Sequence, residues 1–448
     1  MGAFHAYDIR GQFGVDLDGA FAYKVGYFLP ELLHTDKVLV GRDMRVSSPE
    51  LHDNLLRGLT DAGADVYDLG LSSTPLVYYA TARHGFKASV QITASHNPKE
   101  HNGMKISREN ALPVGLDTGL GILKQWMDEG RPMPVAERRG EVHPFDIFDE
   151  YVAFQLQYKG DISNLKIGMD LSNGMASMFV HQIFGDQPIY MYDELDGTFP
   201  HHEANPLLPE NREDLVKLVR ENGCDVGVVY DGDADRVMFV DEKGNFMEPD
   251  LVIALLGNYF LKERGEKGIV LQDIRSSKAV AEYVGPMGGK VETWRVGRAY
   301  AAPRLRELDG LFGGELAGHY YFKDFFYSDS GLLASILVLN IAAAFKREGR
   351  TLSEVMAEIR HYENSGEINF KLDRKQEAMD AVKEYFMSQE KATAFMDFDG
   401  YRIEFPQWWL NIRPSNTEPY LRFICEATTK ELLDEKVART REIVESFK

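Results

Sequence analysis

Short apolar runs rich in Val and Ile alternate along this chain with longer stretches of helical period, and that alternation restricts it to α/β architecture with partly parallel sheets. Strand-like runs are Lys37–Val40, Ala88–Ile92, Leu165–Met169, Asp225–Tyr230 and Ile269–Leu271, each running into polar or glycine-containing residues. Helical patterns cover Pro49–Ala62, Asn211–Asn222, Asp250–Arg264 and Gly331–Arg347, with Pro249-Asp250 a suitable entry to the third. The alternation recurs at least three times, without a short-period repeat or a low-complexity segment. At 448 residues, the usual roughly 150 per domain suggests about three domains. Punctuation favours four. A polar stretch with two prolines at Gly130–Gly140, a break at Asn245–Pro249 and another at Asn364–Glu367 give expected domains of 1–140, 141–246, 247–364 and 365–448. The last holds a strand at Ile368–Leu372, a helix, further strands and a terminal helix at Leu432–Phe447, an α+β pattern.

Charge narrows the function. Fifty basic against seventy acidic residues leave a net charge of −20, which repels phosphate backbones and anionic lipid, so nucleic-acid and membrane partners are not expected. An anionic ligand would need a locally positive pocket. The most apolar stretch, Gly331–Phe345, is interrupted by Ser335 and Asn340 and reads as a buried helix rather than a bilayer span. Cys224 and Cys425 are far apart and form no metal or redox motif, as expected of reduced core thiols. The first residues carry neither a basic n-region with an apolar stretch nor a myristoylation signal, so the expected address is cytoplasmic.

Four loops could carry chemistry. Thr93-Ala-Ser95-His96-Asn-Pro98 leaves a strand with a hydroxyl beside an imidazole, and Lys105 follows; this is either a nucleophile with its acid–base partner or a turn, since Ser, Asn and Pro dominate turns. Asp231-Gly-Asp233-Ala-Asp235-Arg236 sets three carboxylates at alternate positions after an apolar strand. Their repulsion calls for a cation, and hard oxygen donors suit Mg²⁺, with Arg236 available to a phosphate. A solvated acidic turn is the plainer reading. An EF-hand fits poorly, because Arg236 stands where its glycine belongs and Val237–Val240 reads as a strand. Gly313-Gly-Glu315-Leu-Ala317-Gly-His319 offers a carboxylate and an imidazole to sugar hydroxyls, although taken alone it reads as a glycine-rich hairpin or helix entry. Arg413-Pro-Ser415-Asn416-Thr417 resembles a phosphate cradle or a Pro-bounded surface turn. His201-His202-Glu203 lacks metal-ligand spacing and is bracketed by Pro200 and Pro206, so a structured loop is expected there. Walker A, G-x-G-x-x-G and G-x-S-x-G motifs are absent.

In order and spacing, these four loops resemble the phosphoserine, Mg²⁺, sugar and phosphate loops of the α-D-phosphohexomutase family, in its bacterial phosphomannomutase/phosphoglucomutase branch. Tyr7-Asp-Ile-Arg10-Gly11 is similar to the family's opening signature, and Asp273-Ile-Arg275-Ser276 and Val296-Gly297-Arg298 resemble two further substrate-contacting stretches. The resemblance implies four domains around a central cleft, three related α/β units with mixed sheets and a C-terminal α+β unit, each giving one loop. It implies an isomerase that exchanges hexose 1-phosphate and hexose 6-phosphate, mannose or glucose, through a phosphoserine and a hexose 1,6-bisphosphate that turns around in the cleft. Ser95, His96, Lys105, Arg10 and Arg236 would be catalytic; Ser95, Asp231, Asp233 and Asp235 would hold Mg²⁺. Tyr7, Arg275, Arg298, Glu315, Ala317, His319, Arg413, Ser415, Asn416, Thr417 and Arg422 would bind substrate, with the bisphosphate also acting as activator. The enzyme would work as a monomer or homodimer on small hexose phosphates. Two departures stand out: Ala317 where the branch usually has Ser, and Arg298 where it often has His. The alternatives are a haloacid-dehalogenase-type phosphatase with Asp231 as nucleophile, which leaves the other three loops unexplained, and a non-catalytic sugar-phosphate binder.

Overall fold

The computed structural model describes residues 2–415 and 420–448, and its strands form four sheets. Three of them repeat one topology. In the first, Lys37–Arg42 lies between Asp65–Leu71 and Ala88–Ile92, parallel to both, and His101–Arg108 pairs antiparallel with Ala88–Ile92. In the second, Ile167–Asp170 lies between Ile189–Met191 and Val226–Tyr230 in the same sense, with Val237–Asp241 antiparallel to Val226–Tyr230. In the third, Gly268–Asp273 lies between Gly289–Trp294 and Phe312–Gly314, and Tyr320–Phe322 runs antiparallel to Phe312–Gly314. Each unit therefore orders its four strands 2-1-3-4 and changes from parallel to antiparallel pairing at its last hairpin. The fourth sheet is antiparallel, centred on Trp408–Pro414 and Tyr420–Ala427, with helices Lys375–Gln389 and Lys430–Glu445.

The predicted strands and helices occur, with shifted ends. The third helical pattern divides: Pro249–Gly257 is regular α-helix, and Asn258–Glu263 continues it in wider π-type turns. Two sheets also reach across the cuts read from punctuation. Strand Val142–Pro144 pairs with Asp65–Leu71 in the first sheet, and Glu363–Asn364 joins the fourth sheet through Tyr420–Ala427. A Pro-rich stretch marks irregular backbone, but strand pairing decides which sheet the next residues enter.

Helix Gly331–Arg347 begins where Ser330 Oγ accepts from the Leu333 amide, and it is buried along nearly its whole length against the second sheet. The two polar residues that interrupt its apolar run both bind across the seam. Ser335 receives the Tyr230 hydroxyl at 2.5 Å, while Asn340 accepts from the Gly160 amide and donates to the Tyr158 carbonyl. One apolar core accordingly runs through the second and third domains and takes in helix Thr74–Arg83 of the first; the first domain has a further core of its own, and the fourth keeps an entirely separate one. Among the described residues, no helix is long and apolar enough to cross a membrane.

Candidate active site

The functional loops sit at equivalent places. Residues 93–100, 231–236 and 315–319 are each the hairpin connecting the third and fourth strands of a repeated unit, and the Arg413 loop joins the central antiparallel pair of the fourth sheet. Residues 313–319 thus form the glycine-rich hairpin expected of them.

Ser95 and the three aspartates meet at the first junction. Ser95 Oγ donates to Asp231 Oδ2 at 2.9 Å and lies 3.2 Å from His96 Nδ1. Ser95 itself has a φ of 52°, a left-handed conformation that non-glycine residues adopt only when their surroundings impose it. Two surroundings do so. Arg45, buried beneath the loop, donates to the carbonyls of Ser95, Asn97, Pro98 and His101 at 2.6–3.0 Å. Gly232 lets the aspartate loop come so close that a Cβ there would stand 2.6 Å from the Ser95 carbonyl oxygen. Arg10 reaches the same loop, donating to Asn97 Oδ1 at 2.8 Å and to Asp8 at 2.6 Å.

Asp231, Asp233 and Asp235 are buried, with one oxygen of each within 4.8 Å of the others. Lys105 Nζ donates to Asp233 Oδ2 at 2.7 Å and to Asp235 Oδ2, and Thr74 Oγ1 also donates to Asp233 Oδ2. Asp233 Oδ1 and Asp235 Oδ1 are buried with no hydrogen-bond partner, and His319 Nδ1 lies 3.9 Å from the latter. Burial, reinforced by the neighbouring Asp233 and Asp235 charges, pushes the Asp231 carboxyl well above the usual carboxylate range. Orphaned hard oxygens and surplus negative charge fit a small dication, which rules against the solvated-turn reading. Burial and then the Arg236, Arg10 and Lys105 cations push His96 well below the ordinary imidazole value, so it is a proton acceptor near neutral pH. Burial alone would lower Lys105, but Asp233 and Asp235 outweigh it and hold the ammonium well above its ordinary value.

Glu315 is buried, receives the Tyr321 hydroxyl at 2.5 Å and the Gly297 amide at 3.1 Å, and is raised by burial. Asp273, paired with Arg275 at 2.7 Å, accepts the Leu316 amide at 2.8 Å and so anchors the same loop. Ala317 is half-buried beside it, and Tyr7 packs over Gly297, whose added Cβ would lie 3.1 Å from the ring. His319 lies between Arg236 Nε, 2.9 Å from its Nε2, and Asp329, 2.6 Å from its Nδ1. Arg298 is engaged by protein: Nε donates to Asp329 at 3.0 Å, Nη2 to the Ala111 carbonyl at 2.6 Å, and its guanidinium covers the Tyr78 ring at 3.6 Å.

Three guanidiniums gather at the other end, each paired with a carboxylate. Arg413 donates to Asp399 at 3.2 Å and Arg422 to Glu367 at 3.1 Å, while Glu367 lies 3.9 Å from Arg275, tying the third domain to the fourth. Burial, and after it the Arg275 charge, lower Arg413, and its buried Nε has no partner. The Ser415 amide donates to the Tyr420 carbonyl at 2.8 Å; Asn416 and Thr417 lie outside the described residues. His201 and His202 belong to a structured loop, as expected: His202 pairs with Asp170 at 3.0 Å and His201 stacks on Tyr192. Arg45, Thr74, Asp329, Glu367 and Asp399 were not among the residues singled out by motif. Each acts through a partner 14 to 159 residues away, or ten in the case of Asp329 and His319, and no local pattern signals that.

Comparison with known proteins places this arrangement. Models of phosphoglucomutase/phosphomannomutase domains match in chain order: α/β/α domain I over residues 1–130, domain II over 149–244, domain III over 248–362 and the C-terminal domain over 367–443. The chain belongs to the phosphoglucomutase/phosphomannomutase family. It is 37% identical to a phosphomannomutase of Escherichia coli, covering 99% of each chain, and 35% identical to one of Methanocaldococcus jannaschii, covering 98% and 97%. A crystal structure of a phosphoglucomutase/phosphomannomutase family protein from Burkholderia thailandensis superimposes with a TM-score of 0.88 at 27% identity, over 99% of this chain and 97% of that one.

Proposed function

We propose that this phosphohexomutase exchanges hexose 1-phosphate and hexose 6-phosphate through a phosphoserine at Ser95. The carrying observation is the Ser95 hydroxyl held 2.9 Å from Asp231 and 3.2 Å from His96, beside buried aspartate oxygens that lack hydrogen-bond partners. The substrate's phosphate rests on the Arg413 loop with Arg422 and Arg275, and Glu315 reads the sugar hydroxyls between the two ends. The free hydroxyl of the bound sugar attacks phosphorus; the bond from phosphorus to Ser95 Oγ breaks as the new ester forms. Neutral His96 or an aspartate oxygen accepts the hydroxyl proton, and Arg10, Arg236 and Lys105 stabilise charge on the transferring group. The resulting 1,6-bisphosphate turns around and returns its other phosphate to Ser95 by the reverse steps. Asp231, Asp233 and Asp235, with an oxygen of the Ser95 phosphate, would hold Mg²⁺, which supplies charge neutralisation at the transferring group. Hexose 1,6-bisphosphate would also serve as activator, since an unphosphorylated Ser95 needs a donor.

Manno and gluco substrates are both expected, because O3 and O4 exchange places in the half-turn whereas O2 has no equivalent. A dehalogenase-type Asp231 nucleophile is not favoured: family membership accounts for all four loops, and Asp231 is buried against Ser95. In a coupled assay with glucose 1-phosphate or mannose 1-phosphate plus catalytic bisphosphate, Ser95→Ala should lose roughly a thousandfold or more in kcat. Peptide mass spectrometry of the wild type should find phosphate on Ser95; phosphate on Asp231, or a near-native Ser95→Ala enzyme, would overturn the assignment.

A further inference from the structure

Arg236 can only donate, so the 2.9 Å contact from its Nε requires His319 Nε2 to present a lone pair. The ring proton therefore sits on Nδ1, where Asp329 Oδ2 takes it at 2.6 Å. Asp329 is fully buried, and its other oxygen receives Arg298 Nε at 3.0 Å. Arg298 in turn is fixed from the first domain by the Ala111 carbonyl and the Tyr78 ring. The line Arg298, Asp329, His319, Arg236 ends beside the aspartates, with Arg236 Nε 3.9 Å from Asp231 Oδ2, the oxygen that receives the Ser95 hydroxyl. Among the described residues, the terminal nitrogens of Arg236 have no protein hydrogen-bond partner, so they are left for the group in transfer. An isolated antiparallel bridge between Arg236 and His319 fixes the two backbones as well, leaving ring orientation as the remaining freedom.

We propose that Arg298 is a positioning residue rather than a sugar ligand: by holding Asp329 it keeps the His319 proton on Nδ1, and the Nε2 lone pair then turns Arg236 toward the phosphoryl group at Ser95. This corrects the substrate-binding role expected for Arg298 from its motif and rests on the phosphoryl-transfer reading above. An Arg298 bound in this way acts after substrate has bound, so its loss reaches kcat and spares KM. A sugar contact would do the reverse.

The test uses Arg298→Gln and Arg298→Lys in the full-length enzyme, with turnover normalised to the fraction of Ser95 that accepts phosphate from hexose 1,6-bisphosphate. Arg298→Gln should lower kcat about tenfold or more with KM for hexose 1-phosphate within twofold, and Arg298→Lys should restore most of the loss. In an Asp329→Asn background, Arg298→Gln should cost less than twofold further, because the pair acts as one device. Selective ¹⁵N-histidine NMR of the free wild-type enzyme, with His319 assigned from His319→Gln, should show protonated Nδ1 and unprotonated Nε2, and Arg298→Gln should abolish that pattern. A rise in KM with kcat preserved, full additivity with Asp329→Asn, or an unchanged His319 pattern in Arg298→Gln would overturn the proposal. The NMR arm needs no turnover, so it stands or fails separately from the mutase reading.

Discussion

The two ends of the cleft balance their charges differently. At the junction of the first and second domains, two of three buried carboxylates share Lys105, Arg236 lies 3.9 Å from the third, and two carboxylate oxygens have no hydrogen-bond partner. Where the third and fourth meet, Arg275, Arg413 and Arg422 gather and pair with Asp273, Asp399 and Glu367 respectively. At the first end buried carboxylate oxygens are left without a hydrogen-bond partner, whereas at the second each of the three guanidiniums is already paired with a carboxylate. Cations nevertheless stand at both ends, Arg10, Lys105 and Arg236 around Ser95 and Arg275, Arg413 and Arg422 at the other, so a chain with a net charge of −20 still gathers local positive charge along the cleft.

That contrast can be broken from either side. Arg413→Lys keeps the charge but loses the planar fork, and a charged hydrogen bond is worth about 1.5–3 kcal/mol, so KM for hexose 1-phosphate should rise roughly ten- to hundredfold. Phosphorylation of Ser95 should stay normal; impaired phosphorylation would show that the two ends are not separable. Asp233→Asn removes one anion from the other end. Calorimetric titration should show Mg²⁺ affinity falling about tenfold, with the fold intact by circular dichroism and KM little changed.

The seam behind the cradle offers a third probe. Asp250 is buried near Glu426, with Ser277 between them, its amide donating to Asp250 at 2.8 Å and its hydroxyl to Glu426 at 2.6 Å. Burial, and then the Glu426 charge, push Asp250 up to about 7. A carboxyl whose folded value exceeds its unfolded one near 4 keeps its proton only in the folded state between those values. Stability from this group is therefore full below about pH 4, declines as pH rises toward 7 and is gone above it. Thermal melts from pH 5 to 8 should show the transition involving the fourth domain moving down by a few degrees, and Asp250→Asn should flatten that dependence; an unchanged slope would remove Asp250 from the account. Ala317→Ser is the smallest test. A restored neutral hydrogen bond of about 0.5–1.5 kcal/mol should tighten substrate no more than roughly tenfold, by titration with both C2 epimers. A preference above roughly a thousandfold for one epimer would mean that the cleft reads O2 directly.

The closeness of Ser95 to His96 and the clustering of the aspartates were legible because these residues are contiguous: Ser95 has His96 beside it, and three carboxylates fall within five residues. The alternation of strand and helix likewise exposed the α/β units. The shared 2-1-3-4 order was not legible, since the units keep strand pairing and not residues. Arg45 was missed because its role is to collect four carbonyls of a loop fifty residues away, and carbonyls have no sequence signature. Arg298 stands in a recognisable motif, yet its partners Asp329 and Ala111 come from elsewhere in the chain and carry no local signal.

The separate apolar core of the fourth domain has a further consequence. Its interior is built from its own residues, and it meets the third domain through polar ties such as Arg402 to the Ile274 and Ser276 carbonyls and Ser277 to Glu426. Parting the second and third domains, by contrast, would open a common interior. Amide protons in the fourth sheet should thus exchange through a cooperative unit of their own, and a protease should release residues beyond about 365 as a compact fragment before it cuts the remainder.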